Sequence, residues 1–376
     1  MADCLAAVVN EPLKPLEIRR VTIPELEPNS VLIKVDAATL CGTDAHRWLG
    51  HMGEDGNSDF PFISATVAPF IPGHETSGTI ADMRGPLTDV LHEPLKVGER
   101  IISTYSHCGE CYYCRVARQT TLCTNCVSYG HSRADKFPYL LGGCAEYHYF
   151  PPNASFIKVP DEVSSPLAAS AACALRTVMH AFEQLETIAS HETVLIQGCG
   201  PLGLYSTAVA RDRGARKILV IGAPAARLEV AREWGADEVL NLDEVKSSED
   251  RVDWARSLTG GRGPDIVFQC ANSAAIPEGL RIIRPGGRYV NIGVTGGPNV
   301  AIPPMTFFRG VRLFGVVMAE ARHFYQAIDF LATRRDKFPF EKIISGTYTL
   351  DKTTDAIKAM SEYREVKPLI LPRLAN

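Results

Sequence analysis

The chain has 376 residues, of which 45% are hydrophobic and 22% are charged. This length and composition predict a globular protein with two domains and exclude disordered, collagen-like and fibrous classes. Lys and Arg total 39 against 43 Asp and Glu, so the formal net charge is −4. Because there is no basic surplus to neutralise a phosphate backbone, we expect no nucleic-acid partner.

The apolar runs of the sequence are short. Those at 193–196 and 218–221 fall far below the roughly 20 residues that cross a bilayer, so we expect no membrane partner. The run at 5–9 lacks the basic lead of a secretion signal. Eleven cysteines are odd in number and too sparse for a disulfide scaffold. We therefore expect a cytoplasmic protein with reduced thiols, in which clustered cysteines hold metal.

Short strands separated by turns are predicted in the first part of the chain, for example at 31–35 and 76–80. This pattern indicates a β-rich, barrel-like domain. The residues 51–70 have no periodicity and predict an irregular loop. A second irregular stretch, 105–139, contains five of the eleven cysteines.

Strands and helices alternate in the second part of the chain. After an Ala-rich helix, the predicted elements are a strand at 193–196, a helix at 202–212, a strand at 217–221, a helix at 225–234 and strands at 265–268 and 288–292. Such alternation predicts an α/β fold with a parallel, doubly wound sheet. The last residues are too few to fold alone. We therefore expect a first domain at 1–174, completed by 317–376, and a second domain at 175–316.

Four thiols lie close together in the second irregular stretch, at Cys108, Cys111, Cys114 and Cys123. Four thiolates complete the tetrahedral shell of a zinc ion, and a closed shell leaves no place for substrate. We therefore predict a structural zinc that fixes this surface lobe. An iron–sulfur cluster, four unrelated buried thiols, or Cys126 in place of Cys123 are the alternatives.

A second set of ligand types is dispersed along the chain, at Cys41, His74 and Cys173. Singly, each is more often a core residue, but together they form the three-ligand set of a catalytic zinc with one open position. That position would take an alcohol oxygen. Glu75 is either a fourth ligand that exchanges with substrate or a neighbour of the ion.

Three polar residues near these ligands suit the movement of a proton. The Thr43 hydroxyl is placed to accept the alcohol proton, and His46 to pass it to water. Asp44 is a candidate to hold His74 through its other ring nitrogen. For Thr43 and Asp44 the alternative interpretation is a helix-capping turn.

A glycine-rich turn follows the strand at 193–196 and precedes a helix. In the pattern G-x-G-x-x-G, the first glycine makes the turn, the second admits a pyrophosphate, and the third lets the helix pack on the strand. The residues of this predicted dinucleotide site are Gly198, Gly200, Pro201, Leu202 and Gly203. A turn without a ligand is the alternative.

The next strand ends in Gly222, where an acidic residue would bind a bare adenosine ribose. No carboxylate there would repel a 2′-phosphate, and Arg227 lies one turn away to pair with it. We therefore expect NADP or NAD as the cofactor, with a slight preference for NADP.

The motifs at 41–44, 73–78, 97–100, 108–123, 173–177 and 198–203 stand in the order found in one family. The chain resembles the zinc-dependent medium-chain alcohol dehydrogenases over essentially its whole length. The resemblance implies a GroES-like catalytic domain interrupted by a Rossmann domain, an active site in the cleft, and a homodimer or homotetramer.

The resemblance also implies roles for single residues. It assigns Cys41, His74 and Cys173 to a catalytic zinc with Glu75 beside it, and a relay through the nicotinamide ribose to Thr43 and His46. It assigns the four thiols of the loop to a structural zinc, which makes two zinc ions per chain. The implied cofactor contacts are Thr177 near the nicotinamide, Ile292, Val294, and Lys367 near the pyrophosphate.

The sequence departs from the family pattern in three places. One residue more than usual separates Cys114 from Cys123, Gly222 replaces the usual Asp, and the segment 51–70 is longer than usual. The aromatic residues in and around that segment suggest a bulky apolar substrate, such as a cyclic or aromatic secondary alcohol. They are Trp48, Phe60, Phe62 and Phe70. The alternative is that these rings only anchor the loop.

The preferred interpretation is a zinc-dependent alcohol dehydrogenase or ketone reductase that uses NAD(P) and a small-molecule substrate. One alternative is a cofactor-binding protein that zinc stabilises and that has no catalytic activity. Another is a polyol or amino-alcohol dehydrogenase, which would normally carry an acidic ligand in place of Cys173.

Overall fold

A computed structural model of the protein describes residues 2–51, 68–293 and 298–375. The chain divides into two compact units. The first comprises Met1–Cys173, Ala319–Thr333 and Ile343–Asn376, and the second comprises Ala174–Met318 and Arg334–Lys342. The second unit thus takes Arg334–Lys342, a segment that the sequence had assigned to the first domain.

Side-chain contacts explain that difference. The Phe340 ring lies 5.4 Å from the Trp234 ring, measured between centroids, inside the second unit. Arg334 and Lys337 form ion pairs of 2.9 and 2.8 Å with Asp212 of the same unit. Such pairings between distant residues carry no local sequence signal. The pattern at 317–376 therefore does not indicate that Arg334–Lys342 packs with the second unit.

The elements of the first unit begin with strands and short helices. In chain order these are β1 (Asp3–Val8), β2 (Glu17–Thr22), β3 (Val31–Thr39), α1 (Gly42–Leu49), β4 (Glu75–Met83), β5 (Arg100–Ser103), α2 (Tyr112–Arg115), β6 (Tyr147–Phe150), β7 (Phe156–Lys158) and α3 (Ser165–Ser170). A π-helical turn, Ala171–Leu175, follows α3 and leads into the second unit.

The second unit alternates helices and strands. Its elements are α4 (Arg176–Leu185), β8 (Thr193–Gln197), α5 (Pro201–Asp212), β9 (Lys217–Gly222), α6 (Ala225–Glu233), β10 (Glu238–Asn241), α7 (Ser248–Ser257), β11 (Ile266–Gln269), α8 (Ile276–Ile282), β12 (Arg288–Asn291), α9 (Met305–Phe308) and β13 (Arg312–Gly315). The chain ends with α10 (Ala321–Arg334), β14 (Ile344–Thr349), α11 (Thr353–Ser361) and β15 (Lys367–Leu371).

Within the described part of the chain, the sheet of the first unit has the strand order β14-β15-β3-β4-β5-β7, with β6 also paired to β3. The long strand β3 pairs antiparallel with β4, β6 and β15. Its apolar side chains are buried on both faces, as in Ile33 and Ala38. The pairing of β15 with β3 brings the C-terminal residues next to the N-terminal ones.

The sheet of the second unit is parallel, with the order β10-β9-β8-β11-β12-β13 among the described strands. All five residues of β8 are buried, as expected for a parallel strand with helices on both faces. The predicted α/β fold with a parallel, doubly wound sheet is therefore confirmed. In the residues that the structure describes, we find no helix with the length and hydropathy needed to span a bilayer.

Candidate active site

The thiol of Cys41 lies at the start of helix α1. Cys41 is the N-cap, with φ −127° and ψ 173°, and its Sγ accepts a hydrogen bond from the Thr43 backbone N–H at 3.3 Å. The Asp44 carboxylate in turn accepts from the Cys41 backbone N–H at 2.9 Å. These reciprocal bonds satisfy helix-terminal donors and fix the thiol in place. Thr43 and Asp44 therefore do form a helix-capping turn.

The Asp44 carboxylate also contacts His74, the second expected ligand. Asp44 is 1% exposed, and its Oδ1 accepts from the Gly73 backbone N–H at 3.0 Å and lies 3.4 Å from His74 Nδ1. The other ring nitrogen of His74, Nε2, lies 3.1 Å from Cys41 Sγ. Gly73 has φ +88°, a conformation that favours glycine. The structure thus brings Asp44, His74 and Cys41 together in the arrangement that the sequence suggested.

Cys173 reaches this cluster from the π-helical turn Ala171–Leu175. Such turns widen a helix locally and are frequent at functional sites. Potential ligand atoms of Cys41, His74, Glu75 and Cys173 all lie within 4.8 Å of one another. Two sulfurs, one imidazole nitrogen and one carboxylate oxygen therefore converge at one point, where three of the four residues are buried and Cys173 is partly buried.

Only one carboxylate oxygen of Glu75 forms hydrogen bonds with other described residues. Its Oε2 accepts from the Thr39 hydroxyl at 2.5 Å and from the Lys367 ammonium. Its Oε1 is buried and has no hydrogen-bond partner among the residues that the structure describes. A buried carboxylate oxygen without a partner is costly unless a cation or donor occupies the space beside it.

Lys367 lies in the first unit, where its side chain is completely buried and pairs with Glu75. Its expected position near the pyrophosphate stays a prediction. Strand β15 carries Lys367 beside β3, and a buried ammonium requires a paired anion. Sequence reasoning missed this pair and also Thr39; a lysine in an otherwise apolar strand was the available signal.

The charges of the cluster favour metal binding. The pKa of Cys41 is held well below its usual range by a hydrogen bond from the Cys173 thiol and by His74, against the opposing effect of burial. Burial raises the pKa of Glu75, and Lys367 counteracts that rise. This direction favours the thiolate form of Cys41, in which cysteine coordinates metal. The donor set and the unpartnered Oε1 of Glu75 fit a zinc ion.

Helix α1 also carries His46, the second member of the expected relay. The His46 ring is partly buried, and its Nδ1 has no hydrogen-bond partner within the described ranges. Burial, and then His51, lower the pKa of His46 below its usual value. The imidazole is consequently neutral at pH 7 and able to accept a proton.

The four thiols of the loop form a second cluster, with their sulfurs within 4.8 Å of one another. Cys111 Sγ lies 3.5 Å from Cys114 Sγ, and Cys123 Sγ lies 3.5 Å from Cys108 Sγ. Hydrogen bonds from the backbone N–H groups of Glu110 and Cys111 lower the pKa of Cys108 to about 6. Four converging sulfurs fit a tetrahedral zinc with a closed shell.

Cys126 does not join this second cluster within the described chain. Burial raises the pKa of its thiol to about 11. Between Cys114 and Cys123 the chain passes through the end of helix α2 and a 3₁₀ turn, Thr120–Leu122. The Thr121 backbone N–H at that turn donates to Glu320 at 3.2 Å, which anchors the lobe. The geometry therefore favours Cys123 as the fourth sulfur.

The glycine-rich turn joins β8 to α5. Gly198 has φ +106°, and its N–H donates to Ile221 O at 2.7 Å. A Cβ on Gly203 would lie 1.9 Å from Gly198 O, whereas a Cβ on Gly200 would meet no described atom within 4 Å. Helix α5 begins at Pro201, with Leu202 following it, and the N–H groups of its first turn have no acceptor within the helix.

Apart from Lys367, the residues expected around the cofactor belong to the second unit. Gly222 ends β9, and Arg227, 9% exposed, lies in the first turn of α6. Thr177 is partly buried on α4, and Ile292 is buried just after β12. Val294 lies outside the described residues.

The aromatic residues expected at the substrate pocket are placed differently. Trp48 is 5% exposed, and its indole N–H donates to Lys14 O at 2.8 Å. Phe70 is 2% exposed and pairs through its backbone with Val9. Both rings belong to the core, where burial of large apolar surface is most favourable. This burial favours the alternative in which Trp48 and Phe70 pack in the core, and Phe60 and Phe62 lie outside the described residues.

Comparison with known proteins gives two family matches, to the "Alcohol dehydrogenase GroES-like domain" over residues 27–161 and to "Zinc-binding dehydrogenase" over residues 201–333. An alcohol dehydrogenase from Geobacillus stearothermophilus is 31% identical over 335 residues, which cover 88% of this chain and 90% of that protein. The 5-exo-hydroxycamphor dehydrogenase of Pseudomonas putida is 28% identical over 360 residues, covering 94% and 95% of the two chains.

A solved structure has the same fold over nearly the whole chain. It is a zinc-binding dehydrogenase from Sinorhizobium meliloti bound to NADP, with a TM-score of 0.82 and 28% identity. The match covers 99% of this chain and 100% of that one.

Proposed function

Because this chain belongs to the zinc-dependent medium-chain alcohol dehydrogenase family, we propose that it moves a hydride between a bulky secondary alcohol and NAD(P). It is an oxidoreductase that acts on CH–OH groups. The observation that carries the proposal is the convergence of Cys41, His74 and Cys173 beside Glu75. The hydroxycamphor relative, whose named substrate is a cyclic secondary alcohol, supports the substrate class.

The chain's own residues would prepare the reacting atoms. When bound, zinc polarises the substrate oxygen, and the nicotinamide accepts or donates the hydride. Cys41, His74 and Cys173 would hold the ion, and Asp44 fixes the ring of His74 through Nδ1. The free Oε1 of Glu75 is available as a fourth ligand before substrate binds.

We assign proton transfer to helix α1. The Thr43 hydroxyl would accept the proton of the substrate alcohol and release its own toward His46. The neutral His46 ring takes up the proton at a nitrogen and passes it to water. In the direction of ketone reduction the same groups would supply the proton.

We propose that the loop thiols Cys108, Cys111, Cys114 and Cys123 bind a second, structural zinc ion. The cysteines form no disulfide in the described chain, which supports a reducing, cytoplasmic location. For the cofactor, the absence of a carboxylate at Gly222, the nearby Arg227 and the NADP-bound relative favour NADP over NAD.

An activity screen tests the proposal directly. Purified protein should oxidise secondary cyclic alcohols, or reduce the matching ketones, with a change in absorbance at the nicotinamide band. NADP should give a higher kcat/KM than NAD, because Gly222 presents no charge to the 2′-phosphate.

The same screen separates the alternatives. Turnover confined to polyols or amino alcohols would replace the substrate class that we propose. No turnover with any alcohol or ketone, in protein that contains zinc and binds cofactor, would reject the enzyme assignment in favour of a non-catalytic cofactor-binding protein.

We further propose that the chain forms a homodimer or homotetramer through strand β13. In the described part of the chain, β13 pairs with β12 and leaves its other edge unpaired. Three large apolar side chains just before it are exposed: Met305 by 62%, Phe307 by 60% and Phe308 by 86%. An unpaired strand edge beside apolar surface favours association with a second copy.

Light scattering after size exclusion tests this interface. The unaltered chain should elute as a dimer or tetramer, and the double substitution Phe307→Asp/Phe308→Asp should shift it to smaller species, because two charges cannot be buried unpaired. The matched control is Tyr363→Asp, at a residue 67% exposed in the first unit. An unaltered mass for the double variant would exclude this edge as the interface.

A further inference from the structure

Cys199 lies inside the glycine-rich turn, between Gly198 and Gly200, and has no role in the proposed chemistry. It is 2% exposed, and its thiol donates a hydrogen bond to Ala223 O at 3.2 Å. The thiol therefore bridges the turn after β8 to the end of β9. The end of β9 is where the choice between NAD and NADP is made in the proposed function.

The space beside Gly222 is filled by this cysteine. A Cβ on Gly222 would lie 2.5 Å from Cys199 Sγ and 3.0 Å from both its Cβ and its backbone nitrogen. The contacts with Sγ, the closest of the three, and with Cβ disappear when the cysteine side chain is removed, whereas the contact with the backbone nitrogen remains and requires only a small shift of the glycine turn. Overpacking of this kind is destabilising.

The hydrogen bond from Cys199 to Ala223 O also helps to position Arg227. Pro224 is the N-cap of α6, and the Arg227 N–H donates to Pro224 O at 3.0 Å, so the turn at 222–224 positions the first turn of this helix. Burial raises the pKa of the Cys199 thiol to about 11, with Arg227 opposing the rise. The thiol stays protonated at neutral pH and remains a hydrogen-bond donor.

We infer that Cys199 is a positioning residue for cofactor choice, which rests on the proposed NAD(P)-dependent function. It occupies the volume that an acidic side chain at position 222 would need, and it holds the turn that presents Arg227. Cys199 thereby keeps the ribose side of the site free of a carboxylate and compatible with a 2′-phosphate. The two positions, 199 and 222, must then act together and not independently.

The steric conflict between Cys199 and a side chain at position 222 is tested by thermal unfolding in the absence of cofactor. Gly222→Ala should lower the Tm of the cofactor-free protein by about 3–8 °C, since overpacking commonly destabilises by about 1–3 kcal/mol. In a Cys199→Gly background the same substitution should lower the Tm much less. Cys4→Gly, at a buried thiol of strand β1 in the first unit, is the matched control and should leave the effect of Gly222→Ala unchanged.

The cofactor part is tested by calorimetric titration with NAD and with NADP. Gly222→Asp alone should bind both cofactors weakly, because the carboxylate cannot be accommodated beside Cys199. Cys199→Gly/Gly222→Asp should change the ratio of the two dissociation constants in favour of NAD by at least about 30-fold, since juxtaposed like charges are strongly disfavoured. Cys199→Ser, which keeps the donor and nearly the volume, should retain the ratio of the unaltered chain.

Additive effects of the two substitutions, in Tm and in the ratio of dissociation constants, would overturn the inference while leaving the proposed function intact. A complete switch to NAD in Gly222→Asp alone would overturn it as well. If the unaltered chain bound neither dinucleotide, the proposed function would fail together with the inference about cofactor choice. The Tm measurements would still show whether Cys199 and position 222 are in steric conflict.

Discussion

Substitution of Cys41 by Ser is expected to reduce kcat/KM by at least about 1,000-fold and to leave the fold intact. The serine hydroxyl is a poor zinc ligand compared with a thiolate, so the substrate oxygen loses its Lewis acid. Serine is nevertheless a favourable N-cap, and it can accept the Thr43 N–H that Cys41 Sγ now accepts. The Tm should therefore fall by only a few degrees, about the effect of one altered cap.

Cys111→Ser is the matched comparison, because it removes one sulfur from the other cluster. It should lower the Tm much more than Cys41→Ser does, since the lobe around it depends on the ion for its structure. Among the residues of helix α2 at its centre, Tyr112–Arg115, none is buried. Its kcat at low temperature should stay within about tenfold of the unaltered enzyme, as the reacting groups are untouched.

Metal analysis of the two variants completes the test. The unaltered chain should contain two zinc ions, and each variant should retain one. If Cys41→Ser kept both zinc ions and full activity, the assignment of the catalytic cluster would be wrong. If the unaltered chain held a single zinc, one of the two clusters would have another role.

The ligand clusters were predictable because their chemistry is local in sequence. The thiols from Cys108 to Cys123 lie on one loop, and Gly198–Gly203 lie on one turn, so spacing alone indicates what they bind. The parallel sheet was predictable for a related reason. Each strand of the second unit, such as β8, is a short apolar run followed by a helix, and only a parallel sheet connects such units compactly.

The interactions that were not predictable join residues far apart in the chain. Lys367 and Glu75 meet because β15 pairs with β3, and that pairing has no sequence signature. Trp48 and Phe70 looked like pocket residues because aromatic side chains suit both a core and a binding site. Composition cannot separate these two uses, whereas burial decides between them.

The second large effect is expected for Lys367→Met, which leaves the Glu75 carboxylate buried without its cation. Both side chains are completely buried, and Lys367 bonds to Glu75 Oε2. Removal of one partner of a buried pair commonly costs about 3–5 kcal/mol of unfolding free energy. Burial lowers the pKa of Lys367, but the attraction of Glu75, and then of Cys41 and Cys173, outweighs that effect and raises it. Urea unfolding of metal-free protein measures the loss, because a bound zinc ion would itself offer Glu75 a cation.

The partner substitution shows whether the loss comes from the unpaired charge. Glu75→Gln/Lys367→Met removes both charges and keeps an amide oxygen that can accept from Thr39. Replacing a whole buried pair by neutral groups is often close to neutral, so the double variant should be more stable than Lys367→Met alone. Lys158→Met is the control for loss of a lysine, because Lys158 is partly exposed and its pair with Glu99 contributes at most about 1 kcal/mol.

A double variant no more stable than Lys367→Met would mean that the lysine stabilises the fold by packing and not by its charge. The activity of the double variant then bears on Glu75 itself. In this variant the glutamine that replaces Glu75 has an amide oxygen, which is a weaker zinc ligand than a carboxylate. Substrate should therefore displace this side chain from the ion more easily. We therefore expect the double variant to recover stability without recovering normal zinc affinity, because the glutamine amide replaces the Glu75 carboxylate beside the metal. In this one variant, the unfolding free energy should thus rise above that of Lys367→Met while the zinc affinity stays below that of the unaltered chain.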